Sequence, residues 1–178
     1  MFGQMDRTPA IERERPTTET QELSIPLDLG EWVPARQLRE WITTDIATLD
    51  WTNGELMEVL RKHPEFEPKV LLNTMALAYA TGIFTADEIA RRCSTDLGFR
   101  SVRPKLPPIP SDVKAFRKEN RGILKWALAK VITRALITQF TERDTIDVLP
   151  MGLRRYVVEN ATERLELARH LDRGNSNL

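Results

Sequence analysis

The chain has 178 residues, of which 41% are hydrophobic, and its 26 basic and 26 acidic side chains give a formal net charge of zero. This apolar content is enough for the core of one domain of this length. No apolar run approaches the roughly 20 residues of a membrane-spanning helix, and the N-terminus lacks the apolar region of a signal peptide. We therefore expect a cytoplasmic protein with no membrane partner.

Cysteine and histidine are too few for the common structural sites. The single Cys93 excludes an intrachain disulfide, and its place in a predicted helix favours core packing over catalysis. His63 and His170 have no partner at metal-ligand spacing. The motifs of phosphate loops, serine hydrolases and metalloproteases are absent. We expect no metal, no cofactor and no enzyme; an enzyme would need a buried cluster of carboxylates.

Residues 1–30 predict a flexible or loosely docked acidic arm. The segment mixes acids, threonines and three prolines with few large apolar residues, and this composition buries too little surface to offset the entropy of ordering. Leucine and isoleucine alternate near its end and favour an extended segment on the domain, at Leu23, Ile25, Leu27 and Leu29. The predicted domain follows at residues 31–172, with a frayed tail at 173–178.

Helical periodicity covers the rest of the first half and predicts an all-α, compact multi-helix domain. Pro34 suits the first turn of one helix, Thr52 suits the cap of the next, and Pro68 begins the third. Gly82 is a candidate to end that helix, and Thr85 caps the fourth. Two helices joined by a short glycine-containing turn match a helix-turn-helix pattern, which many helical hairpins share.

The second half predicts two long helices and no strand. We expect Ser111 to cap a helix that continues to about residue 140, with Gly122 as a weak point. The last helix is predicted at residues 151–171, where its apolar stripe either packs on the core or forms a homodimer surface. The stripe consists of Leu153, Tyr156, Val157, Ala161, Leu165 and Ala168.

Residues 100–134 carry the strongest functional signal. They hold ten basic and two acidic residues, a local charge of +8 in a chain with zero net charge. Such an asymmetry indicates a polyanionic partner, because clustered cations attract phosphate. The alternative is a solvated helix face with an excess of basic residues.

Two neighbouring segments carry a family resemblance, LLNTMALAYATGIFTADEIARRCSTDLGFRSV and PPIPSDVKAFRKENRGIL. They contain an apolar helix ending in tyrosine and glycine, a threonine-capped helix, a D-L-x-F-R turn, a proline-containing linker and a serine followed by F-R. The matching positions are Tyr79, Gly82, Ile83, Thr85, Ile89, Asp96, Leu97, Phe99, Arg100, Ser111, Phe116 and Arg117. This order resembles the N-terminal domain of insertion-sequence transposases of the Asp-Asp-Glu type, over about 70 of the 178 residues.

The chain departs from that family in two ways. The linker reads Pro-Ile-Pro where the family usually carries a histidine or an aromatic residue before the serine, and the family's three catalytic carboxylates have no matching positions. The resemblance therefore implies a DNA-binding helical domain without transposition chemistry, such as a regulator or a domesticated fragment.

We expect duplex DNA to contact the helix that begins at Ser111 and the linker before it, because helix N-termini and basic side chains both favour phosphate. Lys114, Arg117 and Arg121 are the first candidates, whereas Phe116 is expected in the core. The full set of predicted DNA-binding residues is Arg100, Arg103, Lys105, Ser111, Lys114, Arg117, Lys118, Arg121 and Lys125.

A second interpretation is a helical protein–protein interaction module or adaptor that binds no nucleic acid, since a shared fold does not transfer function. The acidic arm suits this interpretation, because it could fold on a partner. The same arm could also lie over the basic stretch and block DNA.

Overall fold

The computed structural model describes residues 24–62, 67–96, 99, 106–140 and 151–175. Within these ranges a short 3-10 helix (Leu29–Glu31) precedes seven α-helices, and no strand is formed. The helices are α1 (Ala35–Ala47), α2 (Gly54–Lys62), α3 (Pro68–Ala80), α4 (Ala86–Thr95), α5 (Pro110–Glu119), α6 (Arg121–Phe140) and α7 (Met151–Asn175). The all-α prediction is confirmed.

Helix α3 lies at the centre of the fold because it is apolar nearly all round. Ten of its thirteen residues are buried. Helices α1 and α6 pack against it, α7 packs along α6, and α4 packs on α5. A helix without a polar face needs neighbours on several sides, and α1, α4 and α6 supply them.

The apolar stripe of α7 packs inside the chain. Val157, Ala161, Leu165 and Ala168 are all buried, as periodicity predicts. The helix is four residues longer than predicted and ends at Asn175, within the segment that we expected to be frayed. Homodimerisation through the C-terminal helix stays a prediction, and it would need a face other than this stripe.

Capping residues explain the turn between α3 and α4. Gly82 has a φ of 76°, in the left-handed region where glycine has no steric penalty, and so it ends α3 as predicted. The Thr85 hydroxyl accepts a hydrogen bond from the Glu88 amide at 3.3 Å and caps α4. Both predicted boundaries are confirmed.

The start of α2 differs from the prediction by one residue. The Asn53 carboxamide oxygen, not Thr52, accepts the hydrogen bond from the Glu55 amide, at 2.9 Å. The Thr52 hydroxyl instead donates to Asp50 at 2.5 Å in the preceding turn. Asparagine and threonine are both good caps, so composition alone does not decide between adjacent positions.

Asn120 divides the predicted long helix into α5 and α6. Its backbone leaves the helical region, with φ −114° and ψ 28°, and its buried carboxamide donates to the Phe116 carbonyl at 3.0 Å. Its own carbonyl accepts from the Leu124 amide at 3.1 Å, in the first turn of α6. The break therefore comes two residues before the weak point expected at Gly122.

The end of the predicted arm belongs to the folded domain. Ile25 and Leu29 are buried, as the alternating pattern predicts, whereas Leu27 between them is 53% exposed and departs from that pattern, which places all three on one face. Asp28 forms an isolated antiparallel bridge with Thr81 at the end of α3. The domain therefore begins before residue 30, and the rest of the arm, residues 1–23, lies outside the described residues.

Arg164 of α7 holds this segment against α3. Its side chain is almost fully buried. Its guanidinium donates to the main-chain oxygens of Pro26, Leu27 (2.6 Å) and Tyr79 (2.8 Å), and to the Asn160 side chain at 2.9 Å. Because Tyr79 lies in the last turn of α3, the cation also meets the negative end of that helix dipole. Burial lowers the pKa of Arg164 to about 10, so the group stays charged at neutral pH.

Replacing Arg164 with methionine tests this anchor. The variant keeps most of the buried volume but leaves three main-chain oxygens without their donor, and each unsatisfied buried group costs about 1–3 kcal/mol. We expect R164M to lower the free energy of unfolding by roughly 3 kcal/mol, measured by urea unfolding. R155M changes an arginine on the same helix that is 83% exposed, and it should change stability by less than about 0.5 kcal/mol. Equal stabilities of the two variants would contradict the anchor.

Candidate nucleic-acid interface

A cleft of about 500 Å³ between α5 and α7 collects basic side chains. Residues three or four positions apart share a face of a helix. One face of α5 and one face of α7 form the two walls of the cleft, and the first residue of α6 lies beside them. Apart from Leu165, the cleft is lined by six basic side chains and one carboxylate. These are Lys114, Arg117, Lys118, Arg121, Arg169, Asp172 and Arg173.

Three of the lining cations are free to meet an anion. Lys114, Lys118 and Arg173 form no ion pair with any residue in the described part of the chain. Lys118 and Arg173 are exposed, and Lys114 is half-buried. Lys114 and Lys118 were predicted as DNA contacts, and the structure brings them together at one site.

Arg117 lies at the floor of the cleft and is closed to solvent. It is 8% exposed, and its guanidinium pairs with the Asp172 carboxylate and donates to the Tyr79 hydroxyl at 3.1 Å. Its position follows from periodicity: Arg117 comes four residues after Val113 and directly after Phe116, which are both fully buried. This burial corrects the expectation of Arg117 as a free phosphate contact and confirms Phe116 as a core residue.

Asp172 joins the floor of the cleft to helix α4. One of its carboxylate oxygens binds Arg117, and the other accepts from the Ala86 amide at 2.8 Å. Ala86 is the first residue of α4, so a buried negative charge lies at the positive end of that helix dipole. Asp172 thus adds a tertiary cap to the local cap that Thr85 provides.

Two arginines at the rim of the cleft converge on Glu166. Arg121 of α6 binds one carboxylate oxygen, and Arg169 of α7 binds the other at 2.6 Å. All three side chains are partly exposed, at 44% for Arg121, 50% for Arg169 and 39% for Glu166. The hydrogen bond from Arg121 and the charges of both arginines hold the pKa of Glu166 below its usual value.

The N-terminus of α5 is organised differently from the prediction. Ile109 is the cap residue, Pro110 opens the helix, and Ser111 is the second helical residue. The Asp112 carboxylate accepts from the Ile109 amide at 2.9 Å. This carboxylate already occupies the positive end of the helix dipole, so the side of α5, rather than its end, offers positive charge.

Two further predicted residues do not line the cleft. Ser111 is exposed and Lys125 is half-buried, and neither lines it. Arg100, Arg103 and Lys105 lie outside the described residues. They stay predictions.

The sequence interpretation missed the contribution of α7. Arg169, Asp172 and Arg173 are not among the predicted site residues, and Arg173 falls in the segment that we expected to be frayed. A signal was present, because Asp172 comes four residues after Ala168 on the buried stripe. A charged residue on an apolar face needs a buried partner, but periodicity does not say which one.

Cysteine and metal-ligand chemistry find no site in the described ranges. Cys93 is buried, as predicted, and burial raises the pKa of its thiol to about 11. Among the residues that the structure describes, no three His, Cys, Asp or Glu side chains are grouped as metal ligands. In the same ranges no helix has the length and apolar character to cross a membrane.

Comparison with known proteins gives no relative: no protein-family model matches the chain, and neither a curated protein nor a solved structure matches it. The resemblance to transposase N-terminal domains therefore stays a prediction.

The phenol of Tyr79 predicts a loss of stability at alkaline pH. Burial raises its pKa to about 12, against about 10 in an unfolded chain. Between these values the unfolded state has lost a proton that the folded state still holds, so stability falls as pH rises from about 10 towards 12. We expect the wild type to lose on the order of 2 kcal/mol more than Y79F over this interval. Urea unfolding across the interval measures both profiles; parallel profiles would contradict the assignment.

Proposed function

We propose that this protein binds duplex DNA through the cleft between α5 and α7. The observation that carries the proposal is the convergence of cations from three helices on one cleft, where Asp172, the one carboxylate among the described lining residues, is already paired with Arg117. The five other lining cations are Lys114, Lys118, Arg121, Arg169 and Arg173. Clustered cations raise the affinity for a polyphosphate chain and speed its encounter.

The separation of the cations is compatible with one strand of a duplex. Lys114 and Lys118 are separated by about 6 Å along α5, at 1.5 Å per residue. Phosphates of one DNA strand follow each other about every 3.4 Å of the duplex axis, so the two long side chains can contact phosphates one or two positions apart. Arg173 then contacts the strand from the opposite wall of the cleft.

The composition of the cleft favours contacts to the DNA backbone over contacts to bases. Among the residues that the structure describes, the lining contains no aromatic and no carboxamide side chain, and lysines and arginines on phosphates position a protein without reading sequence. We therefore expect this cleft to bind DNA with little sequence preference. Arg100, Arg103 and Lys105 remain proposed as further contacts to the backbone or a minor groove.

The proposal agrees with what the transposase resemblance implies, a DNA-binding domain that acts as a regulator or domesticated fragment without transposition chemistry. The interaction-module alternative gains no comparable support. The final helix is a candidate partner surface in that interpretation, and its apolar stripe is buried within the chain.

A triple substitution of the free cations tests the proposal. We expect K114A/K118A/R173A to weaken binding to a random duplex more than tenfold at about 0.1 M salt, and to reduce the slope of log affinity against log salt by two to three, since each phosphate contact contributes about 0.9. Fluorescence anisotropy over a salt series measures both quantities. Circular dichroism verifies that the variant is folded.

The matched control is R36A/R91A/R155A. It removes three cations that are 87%, 60% and 83% exposed and lie outside the cleft. The net charge changes equally, so this variant should keep most of the affinity and slope. Equal losses in the two variants would attribute binding to overall charge, and wild-type protein that binds no DNA at low salt would contradict the proposed function.

A further inference from the structure

We propose that Arg121 and Arg169 form a phosphate-binding subsite at the rim of the cleft, and that Glu166 occupies this subsite until DNA displaces it. This proposal rests on the proposed function, and it identifies Glu166 as a group that competes with DNA phosphate for the two arginines. In this arrangement the Glu166 carboxylate stands in for a phosphate group.

The geometry is that of an oxyanion site. The two guanidinium groups come from different helices and bind opposite oxygens of one carboxylate. Arginine binds carboxylate and phosphate through the same planar array of donors. Both arginines also line the cleft where Lys114, Lys118 and Arg173 are free, so a phosphate placed between them would continue the row of contacts.

The ion pairs are placed so that they can be exchanged. All three groups are at least one-third exposed, and ion pairs between exposed groups are weak because water screens them. The contact between α6 and α7 does not depend on them, since buried residues such as Leu128, Val157 and Leu165 lie in the same apolar core. Displacing Glu166 therefore leaves the fold intact.

An intramolecular carboxylate makes the subsite selective for polyanions. Glu166 is tethered beside the arginines, and its effective concentration is that of a linked group, on the order of millimolar or more. A single free phosphate has no other contact with the protein to help it displace Glu166. A DNA strand is already held in the cleft by its other phosphates, so its contact with the subsite also occurs at a high effective concentration. We thus expect weak competition from inorganic phosphate and effective displacement by duplex DNA.

The substitution E166Q tests the subsite, with E159Q as the matched control. Each replaces one glutamate of α7 with its neutral isostere and raises the net charge by one. Glu159 pairs with Arg155 at 2.7 Å, outside the cleft, so E159Q frees an arginine that does not line it. Random duplex DNA is the probe, with anisotropy measured over a salt series and thermal melts used to verify folding.

We expect E166Q to bind DNA about five- to tenfold more tightly than wild type at about 0.1 M salt, because DNA no longer competes with the carboxylate. The salt slope should stay close to that of the wild type, since the same two arginines contact phosphate in both complexes. E159Q should change affinity by less than about twofold. Inorganic phosphate added at constant ionic strength should displace DNA from E166Q at lower concentrations than from E159Q, since the subsite is then open.

The other outcomes separate the two proposals. Unchanged or weaker binding by E166Q, with wild-type binding intact, overturns the subsite and leaves the proposed function standing. Equal gains in E166Q and E159Q also overturn it, because overall charge then explains the effect. Absence of DNA binding in all three proteins at low salt overturns both proposals. Binding by E166Q alone also overturns both, because DNA then fails to displace Glu166 from the wild-type protein.

Discussion

The structure depends on two opposite charges of α7 that fix both ends of the turn between α3 and α4. Arg164 binds a carbonyl in the last turn of α3, and Asp172 accepts the first amide of α4. The two residues are eight positions apart, about 12 Å along one helix. Each charge has the sign that the facing helix end prefers, so one rigid helix sets the separation and the direction of the other two.

The same charges determine the cleft. Tyr79 is bound to Arg164 through its carbonyl and to Arg117 through its hydroxyl, and Arg117 continues to Asp172. Buried ion pairs add little net stability compared with apolar packing, but a lost partner leaves an uncompensated charge. We interpret the network as a device for specificity: it fixes α5 against α7, and this orientation directs the free cations, Lys114 among them, into one space.

Local features of the fold were predictable from sequence, and tertiary partners were not. The helix end at Gly82, the cap at Thr85 and the stripe of α7 follow from rules that act over a few residues. Arg117 and Asp172 lie next to buried apolar positions, but Arg117 was predicted as a DNA contact and Asp172 was given no role, because charged residues are usually exposed. Their mutual contact joins positions 55 residues apart, and no pattern within one helix encodes such a pairing.

The cleft is positively charged because ion pairing neutralises some of its basic side chains and leaves others without an acidic partner among the described residues. The chain has no net charge, and its pairs are distributed unevenly: Arg117 is neutralised by Asp172, while Lys114, Lys118 and Arg173 have no partner within the described ranges. Beyond about 8–10 Å at physiological salt, such a local excess is screened. An anion is therefore attracted only once it is close to the cleft, and several of its charges must engage together for the contact to last. A polyphosphate strand meets this condition, whereas an isolated anion must compete with Glu166 for two of the five solvent-facing cations.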